Sequence, residues 1–149
     1  VFHGNGEVKG PRVLVIGAGR VGLEIAEMLG RRDFQVVATK RTDPLASHME
    51  MITRKLALMR IDGMPNVTLM PHTTEKGFQE STVDLEQDGT RMSVEPFQTV
   101  ILASGLLSAP GPGEAVRNLV SDVEIIGDAA EVRDIFTAVH EGYRVAAAH

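Results

Sequence analysis

Apolar and polar residues follow two different periods along the chain. Largely apolar runs, rich in β-branched residues, occupy 13–16, 35–39, 67–70, 99–105 and 123–128. Runs of this kind predict strands of a parallel sheet, because such strands are covered on both faces. Helical segments separate the first three runs, an order that is typical of consecutive βαβ units.

Three segments carry apolar residues at helical spacing. The first helix starts after residue 19 and ends near 30–33, the second covers 45–60, and the third covers 135–148. The methionine-rich stripe of the second helix is interpreted as core rather than as part of a cofactor site. The three stripes are Val21, Ile25, Met28 and Leu29; Leu45, Met49, Ile52, Leu56 and Met59; and Ile135, Val139, Tyr143 and Ala146.

A β-hairpin interrupts the helices and parallel strands at 82–94. Polar and apolar residues alternate on both sides of Asp88-Gly89, a dipeptide that favours tight hairpin turns. Asp84 and Glu86 alternate along the first hairpin strand and are expected on its solvent face. The predicted fold class is therefore α/β, a Rossmann-like βαβ parallel sheet with an antiparallel hairpin excursion.

Glycine and proline mark two non-repetitive segments. Residues 1–11 are interpreted as a lead-in linker, and 106–118 as a flexible joint. The joint contains Gly111-Pro112-Gly113, which follows no predicted strand and is therefore a poor candidate for a second phosphate loop.

The glycine pattern after the first strand carries the candidate chemistry. Gly17, Gly19 and Gly22 form Gly-x-Gly-x-x-Gly between a buried strand and an amphipathic helix. In that context the first glycine permits a tight turn, the second lets a pyrophosphate approach the backbone, and the third lets helix and strand pack closely. The helix N-terminus adds free N–H groups and a positive dipole. The pattern predicts a dinucleotide site.

Composition narrows the class of protein. The chain has 149 residues, 43% of them hydrophobic and 23% charged, which suits one globular domain with its own core. A net charge of −5 with scattered basic residues argues against nucleic-acid binding, and no apolar run is long enough for a membrane span. The absence of cysteine excludes disulfides and thiolate-bound clusters from this chain and fits a cytoplasmic protein. No signal peptide is apparent, and a start at Val1 is expected of a piece of a longer protein.

The order of three motifs resembles that of a known flavoprotein family. These are the stretch at 15–24 around the glycine pattern, the strand at 100–105, and the Gly127-Asp128-Ala129 stretch followed by a His-Glu-Gly-Tyr-Arg pattern at 140–144. Together they resemble the C-terminal region of NADH:flavin oxidoreductases related to old yellow enzyme. That group includes 2,4-dienoyl-CoA reductase, enoate reductase and trimethylamine dehydrogenase.

The resemblance implies a domain plan and a set of cofactors. Residues 10–105 would be an NAD(P)-binding Rossmann-like domain, and 106–149 a linker followed by the return strand and helix of an incomplete FAD-type domain. The parent chain would supply an upstream barrel and the other half of the FAD domain. FMN and an iron–sulfur cluster are expected in the barrel and FAD in the parent chain only. The fragment alone is expected to be inactive, although it belongs to an oxidoreductase that transfers hydride between nicotinamide and flavin.

The residue after the second strand bears on which nicotinamide cofactor binds. An acid at that place accepts from the ribose 2′-hydroxyl, whereas basic residues hold a 2′-phosphate. Here Lys40 and Arg41 occupy it, and Arg20 is a further candidate, so NADP(H) is favoured over NAD(H). A solvated loop is the alternative interpretation of these basic residues.

Other residues have two interpretations each. The resemblance places Glu24 near the nicotinamide–flavin contact, yet an acid in the first helical turn is also stabilising in itself. Asp128 matches an acid that holds the FAD ribityl chain, but in this fragment it more simply ends a strand and caps the next segment. The resemblance would let His140 face flavin in the parent chain, but a lone histidine on a helix is interpreted as solvated or internally satisfied. His3, His48, His72 and His149 lack metal-ligand spacing.

No catalytic or metal-binding residue is predicted. The predicted cofactor-binding residues are Gly17, Gly19, Arg20, Val21, Gly22, Glu24, Lys40, Arg41, Ser104, Gly105 and Asp128. The leading hypothesis is an NAD(P)H-binding portion of a flavin-dependent oxidoreductase, and the alternative is a non-catalytic module that holds ADP or another nucleotide. A stand-alone nucleotide sensor is a weaker third hypothesis, because the Gly127-Asp128 motif has no evident use without an FAD domain.

Overall fold

The computed structural model of the chain describes residues 7–80, 82–109 and 111–148. His3, His149 and most of the predicted lead-in at 1–11 lie outside these residues. In chain order the elements are β1 (Arg12–Ile16), α1 (Arg20–Gly30), β2 (Gln35–Thr39), α2 (Met51–Asp62), β3 (Val67–Met70), β4 (Thr73–Phe78), β5 (Val83–Gln87), β6 (Thr90–Val94), β7 (Thr99–Leu102), α3 (Gly113–Arg117), a 3₁₀ turn (Gly127–Ala129) and α4 (Ile135–Ala148).

Two sheets form the first part of the chain. The parallel sheet has the order β3-β2-β1-β7, and the antiparallel sheet has the order β4-β5-β6. In the parallel register Ile16 pairs with Thr39 on one side and with Leu102 on the other. The carboxyl ends of β1, β2 and β7 therefore lie side by side at one edge. The predicted α/β fold class, with its parallel βαβ sheet and antiparallel excursion, is confirmed.

The parallel sheet is covered by helices on one face and by the second sheet on the other. Val13, Val15, Val36 and Ala38 pack in one cluster with the buried residues of α1 and α2. Leu14 packs in a separate cluster with Val83 and Leu85 of β5. Alternate residues of β1 thus serve two cores, which is why the run at 13–16 contains no polar residue.

The hairpin at β5 and β6 follows the sequence signal closely. Asp88 and Gly89 have φ angles of 48° and 79°, both positive, as a type I′ turn requires. Asp84 and Glu86 alternate with the buried Val83 and Leu85, as expected. The sequence pattern did not predict β4, which pairs antiparallel with β5 and completes the second sheet.

The second helix differs from its prediction in both start and orientation. It begins at Met51 rather than at residue 45, because the Glu50 carboxylate accepts hydrogen bonds from the N–H groups of Ile52 and Thr53 at 3.0 and 2.9 Å. The predicted core stripe is wrong for the residues on the helix, since Ile52, Leu56 and Met59 are 63%, 50% and 62% exposed. Leu45 and Met49, which precede the helix, do belong to the core cluster. Ala57 and Ile61 are the buried residues of this helix.

Two other predictions are corrected in part. On α1 the buried residues are Gly22, Leu23, Ala26, Leu29 and Gly30, whereas Val21 and Met28 of the predicted stripe are exposed. The apolar run at 99–105 is a strand only as far as Leu102. The difference on α1 arises because the face of the helix that meets the parallel sheet is set by packing rather than by spacing alone.

The chain divides into two compact units, Val1–Gly105 and Leu106–His149. In the second unit, the predicted strand at 123–128 is wrong, since Gly127–Ala129 is a 3₁₀ turn and the preceding apolar residues pair with no described strand. The predicted joint at 106–118 contains the short helix α3. The closing helix α4 agrees with its prediction, but none of its residues is buried. No helix in the described ranges is long and apolar enough to cross a membrane.

A charge cluster joins α1 to α2 in the first unit. The carboxylate of Glu27 accepts from Arg60 Nε and Nη2 at 2.7 and 2.9 Å, and from Arg31 Nη2 at 2.8 Å. These bonds, the one from Arg60 foremost, hold the pKa of Glu27 at about 2 against an ordinary 4.5. The Glu27 side chain is 14% exposed, whereas the side chains of Arg60 and Arg31 are 47% and 60% exposed, so solvent partly screens these contacts.

Glu27→Gln should lower the free energy of unfolding by about 1 to 3 kcal/mol, because two arginines lose a charged acceptor. Urea unfolding followed by circular dichroism measures the change. Glu24→Gln on the same helix is the matched control: Glu24 is exposed and lies 3.9 Å from Arg20, so its loss should cost less than about 0.5 kcal/mol. Equal losses in the two variants would contradict the assigned role of Glu27.

The stabilisation from Glu27 should depend on pH. Its pKa is lower in the folded chain than in the unfolded chain, so its contribution is fully present above pH 4.5 and is lost as the pH falls towards 2. Urea unfolding of the wild type and of Glu27→Gln at several pH values should show a difference that is constant near neutrality and shrinks in this acid range. A difference that stays constant down to pH 2 would contradict the assignment.

Candidate dinucleotide site

The turn after β1 is shaped by Gly17. Its φ is +102°, and a Cβ at this residue would lie 2.5 Å from the carbonyl oxygen of Ala103. The N–H groups of Gly17 and Ala18 donate to the carbonyl of Thr39 at 3.0 and 2.8 Å. The turn is thereby held between the ends of β2 and β7, where only glycine has both the space and the backbone freedom.

Gly22 brings α1 onto this turn. A Cβ at Gly22 would lie 2.0 Å from the carbonyl oxygen of Gly17 and 3.5 Å from Val15 Cγ1. No side chain fits at that distance. The first turn of the helix therefore rests directly on the backbone that leaves β1.

Gly19 has the opposite surroundings. It is the N-cap of α1, and a Cβ built on it meets no atom within 4 Å. The helical hydrogen bonds begin with Leu23 N–H to Gly19 O at 3.0 Å. In that geometry the N–H groups of Arg20, Val21 and Gly22 have no acceptor within the helix. An anion could approach these three donors over Gly19, and the positive end of the helix dipole would favour it.

The other predicted residues of the first helical turns are exposed. Val21 is 57% exposed, so it is available to a ligand rather than part of the core. Arg20 and Glu24 side chains are 64% and 65% exposed, with Arg20 Nε 3.9 Å from Glu24 Oε1. That separation is too long for a hydrogen bond, so both side chains are free to reorient.

Ser104 and Gly105 lie beside the turn. Ala103 separates them from β7, and its N–H donates to Ile16 O at 2.7 Å, which fixes this segment against β1. The Cα of Ser104 is 3.0 Å from the place of a Cβ on Gly17. Both residues are exposed, and Gly105 has a φ of +117°.

Lys40 follows β2 immediately, at the same edge of the sheet. Its Nζ donates to the Pro44 carbonyl at 2.8 Å and to Ser47 Oγ at 3.2 Å. Burial, and then the positive charge of Arg54, lower the pKa of Lys40. Arg41 next to it is exposed.

The loop between β2 and α2 packs against the glycine turn. Ala46 N–H donates to the Ala18 carbonyl at 3.0 Å, and Met49 N–H donates to the Ala46 carbonyl at 2.9 Å. Ala46 and Met49 are buried in the same cluster as Ala18. Because the sequence pattern predicted a helix from residue 45, it did not predict this loop. The loop places Lys40 and its hydrogen-bond partners beside the glycine turn.

Two residues near Lys40 were not singled out from the sequence. Arg54, in α2, has a buried Nε with no hydrogen-bond partner among the described residues. Glu75 of β4 accepts a hydrogen bond from the hydroxyl of the buried Thr39. No feature of the neighbouring sequence distinguishes either residue. Arg54 looks like any solvent-exposed arginine on a helix, and Glu75 lies on β4, a strand that the sequence pattern did not predict.

Asp128 and His140 belong to the second unit. Asp128 is exposed in the 3₁₀ turn, where its Oδ1 accepts from Arg133 N–H at 3.3 Å. The rings of His140 and Phe136 have centroids 4.1 Å apart. Glu141 links the helix to the turn: its Oε2 accepts from Gly127 N–H at 2.8 Å, the main cause of the lowered pKa of Glu141. Asp128 thus makes a capping contact, as one half of its simpler interpretation predicts, whereas no described strand ends there.

Comparison with known proteins shows which proteins the chain resembles. No protein-family model matches the chain. Bilirubin reductase from Mediterraneibacter gnavus (strain CC55_001C) is 29% identical over 141 residues, or 94% of this chain and 22% of that protein. NADH oxidase from Thermoanaerobacter brockii is 30% identical over 149 residues, or 93% of this chain and 21% of that protein. The chain is similar to the C-terminal region of old yellow enzyme-like flavin oxidoreductases, as the sequence motifs predict.

The fold of this region agrees with the same group. A structure of 2-naphthoyl-CoA reductase with 2-naphthoyl-CoA superimposes with a TM-score of 0.77 at 21% identity, over 93% of this chain and 21% of that one. The chain spans about a fifth of the length of the curated relatives it matches. The predicted resemblance to flavin oxidoreductases is confirmed, and the relatives and neighbours named above are themselves oxidoreductases.

Substitutions of Gly19 and Gly22 should distinguish the glycine that packs α1 on the turn from the glycine that leaves the helix N-terminus open to a ligand. Gly22→Ala should lower the free energy of unfolding by about 2 kcal/mol or more, because its Cβ must displace the Gly17 carbonyl. Gly19→Ala should change it by less than about 1 kcal/mol, because the space around it is open and only the poorer N-cap preference of alanine acts against it. Urea unfolding measures both. A loss at Gly19 as large as that at Gly22 would contradict the described turn.

Proposed function

We propose that residues 10–105 form the NAD(P)H-binding portion of a flavin-dependent oxidoreductase. The observation that carries the proposal is the open approach over Gly19 to the first N–H groups of α1, at the edge where β1, β2 and β7 end. A dinucleotide pyrophosphate is the group that such a glycine turn accommodates in Rossmann-type domains. The relationship to an NADH oxidase gives independent support.

Each residue of the candidate site has a proposed part. The donors of Arg20, Val21 and Gly22 would face the pyrophosphate. Ser104 and Gly105, exposed at the end of β7, would border the path towards the nicotinamide half. Glu24 would orient that half or serve only as a favourable charge in the first helical turn, worth about 0.3–1 kcal/mol.

The reaction belongs to the parent protein rather than to these residues. When bound, nicotinamide and flavin supply the hydride chemistry, and the protein supplies binding and orientation. The FAD-binding site would be formed by Asp128 together with other parts of the parent chain. FMN and the iron–sulfur cluster would lie outside this sequence, which contains no cysteine to bind a cluster.

The basic residues after β2 favour NADP(H) over NAD(H). Lys40 and Arg41 stand where an acid would accept from the ribose 2′-hydroxyl. The same replacement keeps a second function open: a non-catalytic module that holds ADP. The contacts of Lys40 Nζ with Pro44 and Ser47 favour that alternative, because a lysine committed to its own loop contributes less to a cofactor.

Gly19→Val should weaken NADPH binding at least about tenfold, because a branched side chain would fill the approach to the helix N-terminus. Isothermal titration calorimetry measures the dissociation constant. Gly77→Val is the matched control, since Gly77 lies on β4 and a Cβ there makes only an ordinary contact of 3.6 Å with Asp84. Both variants should keep the circular dichroism spectrum of the wild type.

The same titrations test the alternatives. Tighter binding of NADPH than of NADH and ADP supports the leading proposal. Equal binding of ADP and NADPH would support the nucleotide module instead. Failure of the wild type to bind any of the three would overturn both.

A further inference from the structure

Glu75 is a partly buried carboxylate on the inner face of the antiparallel sheet. In the register of β4 and β5 it pairs with Leu85, which is fully buried in the cluster that contains Leu14 of the parallel sheet. Residues directly opposite one another on paired strands share a face, so the Glu75 side chain also faces the parallel sheet. A charged group on such a face is unfavourable unless it is hydrogen-bonded. Glu75 is therefore expected to have a specific partner on the parallel sheet.

That partner is Thr39, the last residue of β2. The Thr39 hydroxyl donates to the Glu75 carboxylate, and Thr39 as a whole is only 1% exposed. The Val15 carbonyl lies 3.5 Å from the same hydroxyl, which is longer than an ordinary O–H···O hydrogen bond. Without Glu75, the Thr39 hydroxyl would be buried beside a weak acceptor only, an unfavourable state for a polar group.

Thr39 also holds the glycine turn, through its carbonyl group. This carbonyl accepts from the N–H groups of Gly17 and Ala18 at 3.0 and 2.8 Å. Because the hydroxyl and the carbonyl belong to one buried residue, a shift of either group moves the other in a close-packed interior. The antiparallel sheet is thus linked to the glycine turn by two consecutive contacts, from Glu75 to Thr39 and from Thr39 to the turn.

Two features of β4 fix the strand at this place. Thr73 N–H donates to the carbonyl of Lys40 at 2.9 Å, so β4 begins against the residue that follows β2. The register of β4 against β5 then shifts between Glu75 and Gly77, which leaves Lys76 as an extra residue. Bulges of this kind re-aim side chains and are frequent beside functional sites.

We propose that Glu75 is a positioning residue of the dinucleotide site: through Thr39 it holds the turn at Gly17 and Ala18 in the conformation that receives the pyrophosphate. The inference rests on the proposed dinucleotide function and adds the antiparallel sheet to the elements that determine affinity. The role depends on the acceptor oxygen of Glu75 rather than on its negative charge, which by itself would repel a pyrophosphate.

Variants at Glu75 separate the hydrogen bond from the charge. Glu75→Ala removes the acceptor and should raise the Kd for NADPH of the 149-residue chain about threefold to tenfold, the effect of one lost hydrogen bond. Glu75→Gln removes the charge but keeps an acceptor oxygen, so its Kd should stay within about twofold of the wild type. Glu86→Ala is the matched control, because Glu86 lies on the same sheet, alternates with Leu85 and pairs instead with Lys76 at 3.0 Å. It should leave the Kd unchanged, as measured by titration calorimetry.

Thr39→Val removes the donor of the same hydrogen bond. If Glu75 acts through Thr39, this variant should weaken NADPH binding as much as Glu75→Ala, and the double variant should weaken it no further. The free energy of unfolding should behave differently, because each single variant leaves a buried polar group without its partner and the double variant removes both groups. Urea unfolding should therefore show partial recovery in the double variant, whereas a purely structural role would make affinity recover with stability.

Amide hydrogen exchange tests the link on the chain without nucleotide. In Glu75→Ala the Gly17 and Ala18 amides should exchange about threefold to tenfold faster relative to the amides of β1, because their acceptor on Thr39 is held less firmly. The comparison with β1 removes any change in global stability. In Glu75→Gln and Glu86→Ala the ratio should remain at the wild-type value.

The outcomes separate this inference from the proposed function. If the wild type binds NADPH, a Glu75→Ala variant in which only one or neither of Kd and exchange changes overturns the positioning role and leaves the dinucleotide site standing. An equal loss of binding in Glu75→Gln also overturns that role. A wild type that binds neither NADPH nor NADH overturns the dinucleotide proposal, and the positioning role falls with it. Weaker binding together with faster exchange in Glu75→Ala and Thr39→Val, both absent from Glu75→Gln, supports the assignment.

Discussion

The contact between α1 and the backbone of Gly17 is the constraint on which the rest of the first unit depends. Because Gly22 has no side chain, the first turn of α1 can lie directly against the backbone that leaves β1, where a Cβ would not fit. The turn is bonded to β2 through Thr39 and lies against the segment after β7. The positive end of the helix is thus held at the edge where three parallel strands end, and the open side of Gly19 remains accessible there.

A second consequence of this packing is the position of the basic side chains. The Ala18 carbonyl anchors the loop after β2 through Ala46, and the loop in turn holds the ammonium of Lys40. Glu50 starts α2 at the end of this loop, so Arg54 lies in its second turn rather than in the middle of a longer helix. Tertiary contacts therefore determine where the positive charges lie near the end of β2. On the opposite side of α2, the hydrogen bonds from Arg60 to Glu27 hold the helix against α1.

Local signals in the sequence were sufficient for the turn and the hairpin. Gly17, Gly22 and Asp88-Gly89 are required by backbone geometry within a few residues, so their pattern could be recognised directly. The orientation of α2 could not, because exposed Leu56 and Met59 look the same as core residues in a spacing pattern. The run at 123–128 failed for a related reason: apolar β-branched residues indicate the capacity to pair, but a strand also needs a neighbour. The surroundings of Arg54 depend on the conformation of the loop between β2 and α2, which no local sequence motif predicts.

The most direct measurement of the central claim is the response of backbone amides to NADPH in a two-dimensional ¹⁵N–¹H NMR spectrum of the 149-residue chain. A dinucleotide on the glycine turn should cause the largest shifts at the amides of Arg20, Val21 and Gly22, whose donors lack an acceptor within the helix. Smaller shifts should follow at Ser104 and Gly105. Shifts confined to other regions, or no shift at saturating NADPH, would contradict the account.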